Sequence, residues 1–266
     1  YTNFKKLDYG KTYYVKELKA PKGYKIAKCK KVVADKDFVE LEFEDSRVLG
    51  TIKVTKKSDL DKDAKLPGAK FNLSLVNGIN KKHIASATTG SDGSLTFENL
   101  EWGQYELEEI EAPKGYSISN KITKVDVNGS NVTDKNNKPT VINADVVDRQ
   151  DDVLAVVNKL AKDVKGNVTD EPLLGAKFIL YRVDDEDNYD LSDSKTSKVM
   201  GVYYTNEEGK ISVGRLAYGT YVFHESMYPM GYESGKTKGS LKRDDHVFKL
   251  SPEQKEVDLT VYNKRK

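Results

Sequence analysis

One lysine, one glutamate and one asparagine or aspartate recur along the chain where strand alternation asks for an apolar residue. Side chains on a strand alternate faces, so residues two apart share a side. Ile52, Val54 and Lys56 share one face, as do Ala155, Val157 and Lys159. Tyr105, Leu107 and Glu109 form a second set, matched by Tyr221, Phe223, Glu225 and by Tyr13, Val15, Glu17. In the closing strands Val141 lines up with Asn143, Leu259 and Val261 with Asn263, and Leu41 and Phe43 with Asp45. A lysine or glutamate buried alone is expensive, so such groups are paired, neutralised or reacted. Burial lowers the pKa of the amine and raises that of the carboxyl. The neutral amine is a nucleophile, and the neutral acid polarises a carbonyl. Held in contact by the fold, the amine attacks a carboxamide and expels ammonia, or attacks a carboxyl and expels water. The expected product is an intramolecular Lys–Asn or Lys–Asp isopeptide bond, with Glu109, Glu225 and Glu17 as the proton-shuttling acids. The competing reading is a buried salt bridge with no covalent bond. Lys57 and Lys162 are the lysines that a bulge or one-residue slip would select instead.

The elements that must position these groups come from a phrase written three times. It reads Tyr13-Tyr-Val15-Lys-Glu17 through Ala20-Pro21-Lys-Gly23-Tyr24, then Tyr105 through Glu109 to Pro113-Lys-Gly115-Tyr116, then Tyr221 through Glu225 to Pro229-Met-Gly231-Tyr232. Such self-similarity marks a tandem array. The second unit adds strands at Ile52–Lys56, Phe71–Leu75, Leu95–Phe97 and Thr140–Asn143, and the third repeats that order up to Asn263. Short strands punctuated by Gly, Asp and Asn turns predict an all-β fold of tandem two-sheet sandwiches. The divisions expected are 1–48, 49–148 and 149–266. The first holds only the phrase and a closing strand, so its lysine partner is expected before Tyr1 or on another chain. The stretches from Asp45 to Lys56 and from Asn143 to Lys159 lack Gly/Ser slack, which predicts a stiff rod.

Composition narrows the function classes. The 266 residues carry 44 basic and 42 acidic side chains, a balance that argues against a nucleic-acid footprint. No apolar run is long enough to span a bilayer, so no membrane insertion is expected in this segment. The single cysteine, Cys29, excludes an intramolecular disulfide. Asp59, Asp61 and Asp63 are spaced like the start of a calcium loop, but Ala64 stands where that loop needs glycine, and Lys70 where it needs glutamate. His83, His224 and His246 are scattered, so neither a metal, a cofactor nor a nucleophilic triad is expected.

The pattern Tyr-x-Leu-x-Glu-x-x-Ala-Pro-x-Gly-Tyr, after a Leu-Pro-Gly-Ala-x-Phe strand and before a closing Val-x-Asn strand, resembles the Cna B-type (SpaA-like, prealbumin-like) repeat domains of Gram-positive surface adhesins and sortase-assembled pilins. The resemblance covers nearly the whole chain. It implies sandwiches of inverse immunoglobulin type with autocatalytic isopeptide bonds, in a cell-wall-anchored stalk or shaft that is not an enzyme. Carried onto this sequence, the bonds would be Lys56–Asn143 with Glu109 and Lys159–Asn263 with Glu225. Glu17 and Asp45 match in the first unit. The partners implied are neighbouring domains or subunits of the same surface protein or pilus, with an extracellular-matrix ligand as a further expectation. Direct matrix or carbohydrate binding and a polymerising pilus backbone are the alternative roles. Unit three departs from the pattern with Ser-Met-Tyr-Pro after its glutamate, and no sorting signal is visible.

Overall fold

The glycine in each copy of Pro-x-Gly-Tyr adopts a left-handed backbone, with φ of 82° at Gly23, 82° at Gly115 and 84° at Gly231. Only glycine enters this region without a Cβ penalty, so the triplicated phrase encodes a turn that sets the following tyrosine onto a new strand. A computed structural model describes residues 2–235, 242 and 244–266, and all its regular elements are strands.

In the first segment these are β1 (Thr12–Val15), β2 (Tyr24–Lys25), β3 (Lys30–Val33) and β4 (Ser46–Arg47), paired as β1-β3 and β2-β4. The second segment has β5 (Gly50–Ser58), β6 (Lys70–Asn77), β7 (Asn80–Thr88), β8 (Ser94–Leu100), β9 (Gly103–Glu111), β10 (Tyr116–Ser117), β11 (Ile122–Val127) and β12 (Ile142–Gln150). They form two sheets of order β10-β12-β5-β8 and β11-β9-β6-β7. The third has β13 (Leu154–Lys162), β14 (Val168–Pro172), β15 (Lys177–Val183), β16 (Ser197–Tyr204), β17 (Lys210–Gly214), β18 (Gly219–Met227), β19 (Tyr232–Ser234), β20 (Asp245–Leu250) and β21 (Glu256–Arg265). Its sheets are β14-β13-β21-β19, with β17 also on β13, and β16-β15-β18-β20. By contacts the chain falls into two compact units. One is 1–57, 63–113 and 118–148, and the other is 58–62, 114–117 and 149–266.

Each complete sandwich is held by the inward faces of both sheets. Ile52, Val54, Phe71, Leu73, Phe97, Leu107 and Val146 make one core. Val157, Phe178, Leu180, Ile211, Phe223, Phe248 and Val261 make the other. Burying each such side chain contributes about 1.5–3 kcal/mol. The phrase's first tyrosine is also buried, and its hydroxyl bonds back four residues: Tyr105 to the Glu101 carbonyl at 2.9 Å, Tyr221 to that of Ala217 at 2.7 Å. The all-β sandwich read from the sequence is what forms. Trp102 packs at a turn before Gly103. Its Nε1 donates to the Val48 carbonyl at 3.0 Å and its ring meets Tyr24 edge-on.

The two stretches read as linkers are mostly strand, broken only at 48–49 and 151–153. β12 runs on to Gln150 and β5 begins at Gly50. Two carboxylates of the acidic run at 59–63 are held by hydrogen bonds. Asp59 accepts the Gln150 amide at 2.9 Å, and Asp61 accepts Arg182 Nη2 at 2.7 Å. No group of metal-ligating side chains exists among the described residues, and they form no helix long and apolar enough to cross a membrane.

Candidate functional site

β5 alternates so that Ile52, Val54 and Lys56 point inward, and Lys56 is 1% exposed. Glu109 arrives from the opposite sheet on β9 and is equally buried. Lys56 Nζ lies 2.7 Å from Glu109 Oε2 and 2.6 Å from Asp148 Oδ1, with all three side chains out of solvent. Phe71 walls the site, its ring centroid 5.9 Å from the lysine nitrogen. The Ser119 amide donates to Asp148 Oδ1 at 3.3 Å. Glu109 Oε1 and Asp148 Oδ2 are buried with no hydrogen-bond partner among the described residues. Burial first, and the adjacent Asp148 with it, push Glu109 up to about 7 against the downward pull of Lys56.

Asn143, expected as the acceptor in this site, is not there. β12 places Ala144, Val146, Asp148 and Gln150 inward, so Asn143 falls in the outward phase and is exposed. Asp148 takes the position instead, five residues later on the same strand. Lys57, the alternative lysine, points out and pairs with Asp145 at 2.5 Å.

The third segment builds the same arrangement from β13, β18 and β21. Lys159 Nζ is 3.1 Å from Glu225 Oε2, and Asn263 Nδ2 donates to that same oxygen at 3.1 Å. All three are buried, with Phe178 at 6.0 Å from the lysine nitrogen. β13 and β21 run parallel with Lys159 opposite Val261 and Ala161 opposite Asn263, so lysine and asparagine project into the core within one strand repeat. Glu225 is raised by burial, with Lys159 and Asn263 pulling the other way. Lys162 lies on the outward face of β13. A cleft of about 130 Å³ lined by Ser234, Asp244, His246 and Tyr262 reaches Glu225 from outside.

In the first segment Glu17 is half-buried and accepts the Ala27 amide at 2.9 Å. Asp45 is half-buried too, with Oδ1 enclosed and lacking a donor among the described residues. Strand register makes the three acceptor positions equivalent. The tyrosine after the turn glycine pairs with Arg47, Gln150 and Arg265 in the three copies, and two residues before these stand Asp45, Asp148 and Asn263.

The sequence matches the profile of the SpaA prealbumin-like fold domain at residues 1–47, 50–139 and 159–264. The chain belongs to this family. No curated protein matches it significantly. Among solved structures the Bacillus anthracis TIE protein is similar at 25% identity over 96% of this chain, with a TM-score of 0.44. This chain spans 42% of that protein's length. A streptococcal ancillary pilin is similar at 18% identity over 96% of this chain and 75% of its own, with a TM-score of 0.33. The shaft pilin SpaA from Lactobacillus rhamnosus GG shows 15% identity over 82% of this chain and 98% of its own, with a TM-score of 0.32. Each of the three prealbumin-like matches contains one copy of the repeated glutamate, at Glu17, Glu109 and Glu225.

Beside the third site, His224 occupies the outer face of β18. Its Nδ1 sits 2.6 Å from Asp245 Oδ1, and the Tyr189 hydroxyl donates to Asp245 Oδ2 at 2.9 Å. The Asp245 hydrogen bond raises the His224 pKa above its usual 6.5; burial opposes it, while the charges of Asp245, Asp244 and Glu225 add to it. A histidine raised on folding stabilises fully below its unfolded pKa, and that contribution fades as pH climbs through the folded value. His224→Gln is therefore expected to destabilise at acidic pH and to converge on the parent above the folded pKa. Urea midpoints measured across pH check this, and a gap that widens toward alkaline pH would contradict it.

Proposed function

We propose that this chain is a stalk or shaft segment of a Gram-positive cell-surface adhesin or pilin, made of modules that cross-link themselves. The modules are 1–48, 49–148 and 149–266. The observation that carries the reading is that two separate sandwiches each bury a lysine–glutamate pair with a third carboxyl or carboxamide side chain bonded to one of the two. Burying such charges rarely stabilises a fold by itself, since replacing them with apolar residues is often neutral or better. A covalent product gives that cost a purpose.

In the second module Lys56 passes a proton to Glu109, and the freed amine attacks Asp148 Cγ. The departing Asp148 oxygen takes the second proton lost by the attacking nitrogen and the one Glu109 returns, its bond to Cγ breaks, and one water leaves as the amide forms. In the third module Glu225 takes the proton from Lys159, and the amine attacks Asn263 Cγ. The carbon–nitrogen bond of the carboxamide breaks, its nitrogen takes up the proton lost by the attacking amine, and ammonia leaves. The cleft at Glu225 gives it an exit. In the first module Glu17 and Asp45 hold the acid and acceptor positions. The reaction happens once per site and consumes the protein itself, so the chain is not a turnover enzyme. Cross-linked modules in series suit a load-bearing, protease-resistant, extracellular spacer that joins neighbouring domains or subunits.

Fragment sequencing of a tryptic digest by mass spectrometry tests the reading. Branched peptides joining Lys56 to Asp148 and Lys159 to Asn263 are expected. Recovery of only linear peptides containing these residues would reject it.

A second reading, direct ligand binding by one module, is favoured by the apolar outer face of the β16-β15-β18-β20 sheet.

A further inference from the structure

The two complete modules treat the same sheet edge in opposite ways. In the second module the edge strand is β7, which carries exposed Lys81, Lys82 and His83. Its sheet's outer face is polar. Lys81 pairs with Glu106 at 2.5 Å, and Ser86 donates to Asn72 at 2.6 Å. Charged edges of this kind block strand addition. In the third module the corresponding edge is β16, where Val199, Val202 and Tyr204 are 58%, 49% and 56% exposed. They stand opposite Tyr181, Ile179 and Lys177 on β15, whereas Tyr203 turns inward onto Phe223. The apolar outer surface continues over Tyr181 and Val222, where Tyr189 and Leu191 of the preceding loop pack on it. Among the described residues β16 pairs only with β15, leaving its second row of backbone donors and acceptors without a strand.

Charge at the two ends of β16 selects the occupant. The loop entering the strand contains Asp184, Asp185, Glu186, Asp187, Asp190 and Asp193 against one basic residue, Lys195. Glu207 and Glu208 follow the strand's far end. A second copy pairing antiparallel would set its acidic loop against Glu207 and Glu208, and a parallel copy would set loop against loop. Both arrangements juxtapose like charges, which costs affinity. We propose that β16 is a strand-addition site for an extended segment of a different protein, with alternating apolar residues and a basic residue at the end that meets the acidic loop. Main-chain hydrogen bonds to the free edge supply affinity in this mode, and alternate side chains supply selectivity. The inference is independent of the cross-links.

Two synthetic ten-residue peptides with the same Val/Thr/Tyr alternation, one ending in Lys-Lys and one in Glu-Glu, test it on the full chain by fluorescence anisotropy and amide exchange. The lysine peptide is expected to bind at least about tenfold tighter, to weaken with salt and to slow exchange across 198–204. Val202→Lys changes an exposed side chain, and it should abolish binding while the circular dichroism spectrum stays the same. Equal binding of the two peptides, absence of binding, or protection outside β16 would overturn the proposal. So would sedimentation showing that the chain pairs with itself through β16.

Discussion

The purified chain should weigh less than its sequence by one water and one ammonia. Glu109→Gln should recover the water alone, and Glu225→Gln the ammonia alone. Glutamine keeps the shape of each acid but cannot relay a proton between amine and leaving group, and positioned acids and bases of this kind contribute 10²–10⁴-fold to such steps, by order of magnitude. Asp148→Ala should also restore the missing water, because Lys56 then has no carbonyl carbon to attack. Asn143→Ala should leave the deficit unchanged, since that side chain is exposed on the far face of β12. Asp148→Asn is the sharpest substitution, because the second module would then lose ammonia in place of water. Intact-mass spectrometry resolves all these variants. An unmodified chain with the full sequence mass would leave the triads as salt bridges. A deficit that survives Asp148→Ala would place the acceptor elsewhere.

Most of this site was legible because strand alternation is strict. Lys56, Lys159, Glu109, Glu225 and Asn263 each sit two residues beyond a core apolar residue, and the structure buries all five. The second module's acceptor was misread because Val141-Ile-Asn143 imitates the closing pattern of the third module. Val141 is itself half exposed, so the imitation has the wrong phase. A spacing held the answer: Lys56 follows Asp45 by eleven residues, and Lys159 follows Asp148 by eleven. In both cases the lysine of the next repeat follows the acidic position at the same interval. Val146-Val-Asp148 also matches Val261-Tyr-Asn263 in phase.

The edge strands were the other omission. Neither Asn80–Thr88 nor Ser197–Tyr204 alternates cleanly in polarity. β7 is exposed over most of its length, and β16 carries apolar residues on the solvent side. An edge strand packs against one neighbour only, so its composition answers to solubility and partners as much as to the core. Periodicity finds strands by their buried face and is weakest there. For the same reason the first segment shows its repeated phrase clearly but yields only two-stranded pairings, with Tyr14, Leu18 and Ile26 exposed.

Removing the third module's cross-link should lower its melting temperature by about 16–40 °C while the second module's transition stays in place. The proposed bond between Lys159 and Asn263 closes a loop of about 100 residues, for which chain-entropy reasoning gives about 4–5 kcal/mol. A module of about 100 residues shifts by roughly 4–8 °C per kcal/mol, which sets the expected range. Glu225→Gln alone confounds two effects, because it also leaves Lys159 buried without its carboxylate. The double variant Lys159→Met, Glu225→Gln separates them. Methionine fills the volume of the lysine stem, no charge is buried, and no bond forms. A salt bridge without covalent chemistry predicts that this apolar replacement is neutral or stabilising. A cross-link predicts that it still melts far below the parent, since the loop is open. Calorimetry of parent, single and double variants therefore gives opposite signs for the two readings. A double variant as stable as the parent would leave the buried lysines with no mechanical role.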